Sequence, residues 1–253
     1  MASREDILLE LGLTPSWRLR RDARAQATTS ATPSTALLAR ATSAPAADAI
    51  PAVVPPPDAR RSRIAALDWS ELVADINACT TCGLCRTRNR AVPGVGDPHA
   101  DWMFVGEAPG AEEDAQGEPF VGQAGKLLDA MLAAIGLRRG EGVYIANVLK
   151  CRPPGNRVPE PLEVEACKPY LDRQVELVAP KLIVALGRSA ATTLLGRDAS
   201  IASLRGRIHR YRNVPLLVTY HPAYLLRNLP DKAKAWEDLL LARRTVCAAA
   251  AAG

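Results

Sequence analysis

The chain has few aromatic residues and few histidines. Phe, Trp and Tyr make up 4% of its 253 residues, and only two residues are Phe and three are His. It also lacks the roughly 18–20 uninterrupted apolar residues that a membrane-spanning helix needs, so we expect no membrane partner. The first residues, MASREDILLELGL, carry acids where a signal peptide has a basic start, which predicts a cytoplasmic protein.

The two common phosphate-binding fingerprints are also missing. The segment 106–125 is rich in glycine, but Phe120 stands where the Walker pattern needs its first glycine, and Leu127 follows Lys126 where that pattern needs Ser or Thr. No G-x-G-x-x-G sequence occurs either. Several carboxylates in this segment would repel a triphosphate that lacks a metal. These features argue against a nucleotide-phosphate loop.

The overall charge is mildly positive. Lys and Arg total 32 against 27 Asp and Glu, which gives a net charge of +5 and a pI near 9.0. Such a balance suits a phosphate-rich partner without establishing one. Hydrophobic residues make up 48% of the chain, which is enough to build a core.

Three regions are expected along the chain. Residues 1–22 contain a short amphipathic helix with Ile7, Leu8 and Leu11 on one face, which is either a docking peptide for an unidentified protein or a plain extension. Residues 23–64 are dominated by Ala, Pro, Ser and Thr, which predicts a disordered linker. Residues 65–247 are expected to form the folded domain.

Strands and helices alternate in the predicted domain. Short apolar runs predict buried strands at 102–106, 143–148, 182–186 and 216–219. Helical patterns cover 125–135, 162–178, 189–195 and a closing stretch at 223–246. This alternation predicts an α/β fold of three layers, α/β/α, with a four-stranded parallel sheet in the middle.

Polar or Gly/Pro-framed groups follow all four predicted strands. Glu107 and Ala108 follow the first strand, Asn147 ends the second, Arg188 follows the third, and His221 follows the fourth. Right-handed crossovers bring the carboxyl ends of parallel strands to one edge of the sheet, where ligands of open α/β folds bind. The sequence therefore predicts a functional site at this edge.

Five of the six cysteines are candidates for metal ligands. Cys79, Cys82 and Cys85 form a C-x₂-C-x₂-C pattern, and Cys151 and Cys167 follow the second predicted strand. Four thiolates can hold either a tetrahedral Zn²⁺ or an iron–sulfur cluster, and spacing alone does not choose between them. Buried cysteines without a metal are the third alternative. A metal here would fasten the start of the domain to the predicted site.

Three separate motifs resemble one protein family. They are GEAPGAEEDAQGEPFVGQAGKLLD at 106–129, IANVLKCRPPGNR at 145–157 and HPAYLLRN at 221–228. Together with the cysteines they resemble the family 4 uracil-DNA glycosylases over about residues 79–236. The resemblance implies the fold of that family, with a four-stranded parallel sheet between helices. It also implies a monomeric base-excision repair enzyme that works at the nucleoid.

The resemblance also implies which residues recognise and cleave. A [4Fe–4S] cluster falls on four cysteines: Cys79, Cys82, Cys151 and Cys167. Cys85 is left without a role. Phe120 would stack on a uracil flipped out of single- or double-stranded DNA, and Asn147 would pair with its O4 and N3–H and so reject cytosine.

Charge stabilisation is expected from His221 and from carboxylates. His221 would hydrogen-bond uracil O2 as negative charge develops there. Glu107 and Glu113 are the candidates for stabilising the sugar cation and positioning water, with Asp114 third. Ala108 occupies a substrate-binding position where the family 1 enzymes have an Asp.

Contacts with DNA are expected from two leucines and three arginines. Leu225 and Leu226 would fill the gap that the flipped base leaves. Backbone phosphates would be bound by Arg152, Arg188 and Arg227.

Other functions stay open on the sequence alone. A non-catalytic iron–sulfur or zinc DNA-binding protein is one, and a redox sensor that uses C-x-x-C is another. A related family attaches covalently to uracil-containing DNA, but it has Gln in place of Ala108 and an inserted loop with a reactive His. Residues 150–157 contain no His. Catalytic turnover is therefore expected.

Overall fold

A computed structural model of the chain describes residues 57–251. The predicted segment 1–22 and residues 23–56 of the predicted linker lie outside the described residues. The strands of the described part are β1 (Val95–Gly96), β2 (Trp102–Gly106), β3 (Val143–Asn147), β4 (Leu182–Leu186), β5 (Ile208–Tyr211) and β6 (Val214–Thr219). Its α-helices are α1 (Pro57–Ala66), α2 (Trp69–Ala78), α3 (Ala111–Gln116), α4 (Gln123–Ala134), α5 (Pro161–Val178), α6 (Arg188–Leu195), α7 (Ile201–Leu204), α8 (Pro222–Leu225) and α9 (Asp231–Ala251). Short 3₁₀ helices cover Gly83–Arg86 and Pro154–Asn156.

The strands form one sheet in the order β1-β3-β2-β4-β6-β5. The four central strands are parallel, which confirms the predicted parallel sheet. β1 and β5 add antiparallel edges that the sequence did not predict. β1 has only two residues, and β5 reads Ile-His-Arg-Tyr with an exposed Ile208, so neither has the apolar run that marks a buried strand.

The alternate side chains of each central strand pack into two different hydrophobic cores, one on each face of the sheet. Met103 and Val105 of β2 pack in a core with residues of α1, α2, α5 and α6. Trp102 and Phe104 of the same strand pack on the opposite side with residues of α4 and α9. Successive side chains of a strand point to opposite faces, so apolar runs without alternation indicate a sheet covered on both sides. The predicted three-layer architecture is confirmed.

The folded part begins earlier than the sequence indicated. Helix α1 occupies residues 57–66, most of which were assigned to the disordered linker. Ile64 is fully buried, and Arg60 Nη1 donates a hydrogen bond to Ala166 O at 2.9 Å. The composition of the segment predicts disorder because it contains few apolar side chains. One well-placed Ile and one Arg, four residues apart on a helix, are enough to dock α1 on α5.

The closing helix is divided. The predicted helix at 223–246 is instead a short α8 followed by α9, which begins at Asp231. Pro230 lies directly before α9, and a proline disfavours helical backbone at the residue before it. Because of this break, the residues directly after His221 form the short helix α8 and are not part of the long helix α9. No helix within residues 57–251 is both long and apolar enough to cross a membrane.

Candidate active site and cysteine cavity

The backbone pairing of β2 and β3 continues past the ends of both strands. Val148 N–H donates to Gly106 O at 2.9 Å, and Leu149 N–H donates to Glu107 O at 3.0 Å. This pairing holds Glu107 and Asn147 at the carboxyl edge of the sheet. The cleft at that edge is lined by Glu107, Ala108, Glu113, Phe120, Asn147, Pro153, Asn156, Arg157, His221 and Arg227.

Gly106 lets two side chains of the cleft come together. A Cβ at this position would lie 2.4 Å from Asn147 Oδ1 and 2.6 Å from Phe120 Cζ. Phe120 has a positive φ of 56°, and Arg139 Nη2 donates to its carbonyl oxygen at 2.8 Å. A Cβ on Gly125 would lie 1.7 Å from the same oxygen. Two glycines and one arginine therefore fix Phe120 in the cleft.

Asn147 offers an unused acceptor. The residue is 2% exposed, and its Oδ1 is buried without a hydrogen-bond partner among the described residues. A buried polar atom without a partner costs about 1–3 kcal/mol, so such atoms are rare unless a ligand satisfies them. Asn147 is therefore suited to accept a hydrogen bond from a ligand in the cleft.

His221 offers a donor. It precedes α8, and its Nδ1 accepts a hydrogen bond from Ala223 N–H at 3.1 Å, which leaves the proton of the neutral ring on Nε2. Burial, together with the nearby positive charge of Arg227, lowers the pKa of His221 to about 4. The imidazole is therefore neutral near pH 7. Its ring centroid lies 5.5 Å from that of Phe120, with 30° between the ring planes.

The three candidate carboxylates have different environments. Glu107 is half-buried, and burial raises its pKa, while Ser189 acts in the opposite direction. Glu113 accepts three backbone N–H bonds, from Gly110 at 3.0 Å, from Val121 at 3.0 Å and from Gly122 at 3.2 Å. Both of its oxygens are therefore engaged in ordering the loop.

Asp114 is buried away from the cleft. One of its oxygens accepts the Asn89 backbone N–H at 2.9 Å, and the other accepts the Asn89 side-chain amide at 2.7 Å. Its carboxylate joins α3 to the loop after the first three cysteines. Among these three carboxylates of the described structure, only Glu107 both lines the cleft and has oxygens that bind no backbone amide.

The candidate DNA contacts divide into buried and accessible side chains. Leu225 is 1% exposed and packs in the core under α9, so it is not accessible to DNA in the described structure. Leu226 is 42% exposed, and Arg227 lines the cleft.

The other two predicted arginines do not line the cleft. Arg152 Nε donates to Asn156 Oδ1 at 2.7 Å. Arg188 forms an exposed ion pair with Asp198 at 2.7 Å. Arg188 lines a neighbouring pocket that shares Glu107 and His221 with the cleft.

All five candidate cysteines surround one cavity behind the cleft. Cys79, Cys82, Cys85, Cys151 and Cys167 line it, and none of the cysteines forms a disulfide. Cys79 ends α2, Cys82 and Cys85 belong to the following turn, Cys151 follows β3, and Cys167 lies in α5. The fold thus brings together residues that are up to 88 positions apart in the sequence.

Hydrogen-bond donors face the sulfur atoms. Arg88 Nη1 lies 2.9 Å from Cys151 Sγ, Lys150 N–H donates to Cys167 Sγ at 3.2 Å, and Arg60 Nη2 lies 3.9 Å from Cys79 Sγ. Such donors stabilise thiolates, the form in which cysteine binds metal. Within residues 57–251, no three His, Cys, Asp or Glu side chains converge closely enough to hold a single metal ion.

Comparison with known proteins gives a consistent assignment. The uracil DNA glycosylase superfamily model matches residues 93–240. The type-4 uracil-DNA glycosylase of Archaeoglobus fulgidus is 49% identical over 62% of this chain and 82% of that protein, and that of Thermotoga maritima is 46% identical over 65% and 86%. The type-5 enzyme of Thermus thermophilus is 35% identical over 52% and 68%. The chain belongs to the type-4 uracil-DNA glycosylases.

The family resemblance seen in the sequence is therefore confirmed. The fold brings Glu107, Ala108, Asn147 and His221, which end or follow three of the predicted strands, around one cleft together with Phe120, whereas Arg188 after the remaining strand does not line it.

Two arginines of the uracil-DNA glycosylase site were not anticipated. Arg157 lines the cleft and pairs with Glu163 at 2.6 Å. The quoted motif that ends at residue 157 could have indicated it. No sequence motif could have indicated Arg139. It binds the Phe120 segment through backbone oxygens, and every residue has a backbone oxygen.

Substituting Gly106 with Ala is expected to damage the cleft without unfolding the protein. The new methyl group would displace both Asn147 and Phe120, and small displacements of positioning groups lower rates by about 100-fold. Single-turnover excision of uracil measures the loss. Gly136→Ala is the control for backbone strain alone: its φ of +79° disfavours a side chain, but nothing lies within 4 Å of the added carbon, so it should lower stability and leave the excision rate of the folded protein unchanged. Equal activity of the two variants would contradict the proposed contact.

Proposed function

We propose that this protein hydrolyses the bond between uracil and deoxyribose in DNA and so begins base-excision repair of deaminated cytosine. One observation carries the proposal: a buried acceptor without a partner, a neutral imidazole donor and a flat aromatic ring line the same cleft. They belong to Asn147, His221 and Phe120. Uracil is planar, with an N3–H donor between the acceptors O2 and O4, so it complements all three groups.

The base must leave the helix before it can enter the cleft. Flipping a nucleotide costs a few kcal/mol, and uracil in a single strand or a mismatch is the easiest to extrude. Phe120 would stack on the flipped base. Asn147 would accept N3–H with Oδ1 and donate its amide to O4. Cytosine has an acceptor at N3 and an amino group at C4, so it would leave the buried amide unsatisfied.

Bond cleavage separates charge, and two residues of the cleft are placed to stabilise it. His221 Nε2–H would donate to uracil O2 as the leaving base becomes an anion. The neutral His221 ring would donate this hydrogen bond from Nε2–H and would keep its proton. Glu107 would stabilise the sugar cation and orient the attacking water. Glu113, whose oxygens bind backbone amides, would hold the loop that carries Phe120.

The outer edge of the cleft would bind the DNA strand. Leu226 is exposed and would fill the space vacated by the flipped base, with Arg227 on a neighbouring phosphate. Arg152 and Arg188 would contact phosphates further along the strand.

We propose that the protein acts as a monomer on single- or double-stranded DNA in the cytoplasm, at the nucleoid. The segment 1–22 would dock a protein partner.

The alternative functions are less well supported. A DNA-binding protein without catalysis would not need an acceptor, a donor and a carboxylate directed into one cleft. A redox sensor based on C-x-x-C would use only one pair such as Cys79 and Cys82, whereas five cysteines line one cavity.

For the cysteine cavity we propose a [4Fe–4S] cluster on Cys79, Cys82, Cys151 and Cys167. The donors that face the sulfurs suit thiolates, and the residues present fit the cluster. A zinc ion would draw four sulfurs to about 2.3 Å from one centre, whereas a cubane binds each cysteine through a different iron. The bound cluster would fasten α2 and α5 to the turn after β3 and would take no part in hydrolysis.

An oligonucleotide assay tests the proposed activity. The protein is incubated with single strands that carry either uracil or thymine at one position and are then cleaved with alkali. We expect cleavage at uracil only, and a decrease of about 100-fold or more for Asn147→Asp, because a carboxylate cannot donate to O4. Wild-type protein without cleavage at uracil would contradict the function, and a fully active Asn147→Asp variant would contradict only the role of Asn147.

The low pKa of His221 gives a pH test. Because its folded pKa of about 4 lies below the ordinary 6.5, the ring should stay neutral from pH 8 down to pH 5. We expect His221→Ala to lower the single-turnover rate by about 10²–10³-fold. The ratio of wild-type to variant rates should be constant over that range and should change only near pH 4. An inflection of this ratio near pH 6.5 would show a freely titrating imidazole.

Cysteine variants test the ligand assignment. We expect the purified protein to be brown, with about four iron atoms per chain. Cys79→Ser, Cys82→Ser, Cys151→Ser and Cys167→Ser should each lose most of the visible absorbance, and Cys85→Ser should keep it. Iron analysis and absorbance spectra of anaerobically purified proteins measure this. Retention of the cluster by Cys82→Ser together with its loss in Cys85→Ser would show that Cys85 is the ligand.

A further inference from the structure

Lys150 is a buried cation between the cleft and the cysteine cavity. It is 1% exposed. Its Nζ donates to the backbone oxygen of Asn147 at 2.6 Å and to Gln174 Oε1 at 2.6 Å. Gln174 donates its own amide to Pro93 O at 2.7 Å, which keeps Oε1 turned toward Lys150. Two hydrogen bonds therefore hold the ammonium against the backbone of Asn147, the residue proposed to recognise uracil.

The ammonium has no carboxylate partner in the described part of the chain. Ion pairs there include those of Lys168, Lys181 and Lys234, but none involves Lys150. A buried charge without a counter-charge is strongly destabilising, so a buried lysine either loses its proton or has an anion nearby. Both of its partners, a backbone carbonyl and a side-chain amide, are neutral.

Lys150 also adjoins the cysteine cavity. The residue lines the cysteine cavity, its backbone N–H donates to Cys167 Sγ at 3.2 Å, and Cys151 is the next residue. Four thiolates around a [4Fe–4S]²⁺ core leave two net negative charges. The proposed cluster would therefore supply the anion that Lys150 lacks.

We infer that Lys150 is the buried counter-ion of the cysteine-bound cluster and the positioning residue that fastens Asn147 to it. The inference rests on the proposed cluster and on the proposed role of Asn147. Loss of the cluster would leave the ammonium buried without an anion, and its hydrogen bond to Asn147 would no longer be maintained. The cluster would thus support uracil recognition from a distance, without contacting the substrate.

Lys150→Met tests both parts of the inference in the holoenzyme. Removal of a nearby positive charge should lower the midpoint potential of the cluster, because a cation stabilises the more negative reduced form. Inhibition by free uracil should weaken about tenfold or more, since Asn147 loses its anchor. Protein-film voltammetry and competition with free uracil measure the two effects. Lys181→Met, which removes an exposed lysine paired with Asp101, is the matched control.

Lys150→Gln separates charge from hydrogen bonding and remains informative if Lys150→Met does not fold. It keeps an N–H donor but no charge, so the potential should fall while inhibition by uracil is less affected. An unchanged potential in a folded, cluster-containing variant would overturn the counter-ion role. Unchanged inhibition by uracil in Lys150→Met would overturn the positioning role. A colourless wild-type protein without iron would overturn the cluster proposal itself, while uracil excision by that protein would still be measured separately.

Discussion

The backbone pairing between residues 106–107 and residues 148–149 is the interaction on which the rest of the site depends. It extends the contact between β2 and β3 by two hydrogen bonds beyond the strands. Without it, Glu107 and the residues that follow Asn147 would lie on independent loops. With it, the chain turns at Lys150, so that the cleft lies on one side of the turn and the cysteine cavity on the other. A single local constraint therefore positions both Glu107 and Asn147 at the cleft and two of the cysteines at the cavity.

The cleft combines few charges with well-defined hydrogen-bonding groups. His221 is kept neutral by burial and by Arg227, and Asn147 presents an acceptor that no group of residues 57–251 uses. The carboxylates of the loop are divided between tasks: Glu113 binds three backbone amides, whereas Glu107 faces the cleft. A neutral donor beside an unused acceptor suits a neutral planar base, and Glu107 is the carboxylate that stays available to a ligand in the cleft.

The cysteine cavity is surrounded by cations from three separate parts of the chain. Arg60 comes from α1, Arg88 from the loop after the first cysteines and Lys150 from the turn after β3. Their convergence explains why α1 belongs to the folded domain although its composition resembles a linker. Lys150 also connects the cavity with the cleft, because its Nζ donates to the backbone oxygen of Asn147.

The sequence by itself determined the parallel sheet, its two covered faces and the edge at which the site lies, because buried strands and amphipathic helices leave periodic apolar patterns. It also determined the family, through motifs whose residues are close together in the chain. Only the tertiary structure decided that Leu225 is buried while Leu226 is exposed, and that Arg139 and Lys150 act on backbone oxygens of Phe120 and Asn147. Such contacts join residues through groups common to all amino acids, so they leave no pattern in the sequence.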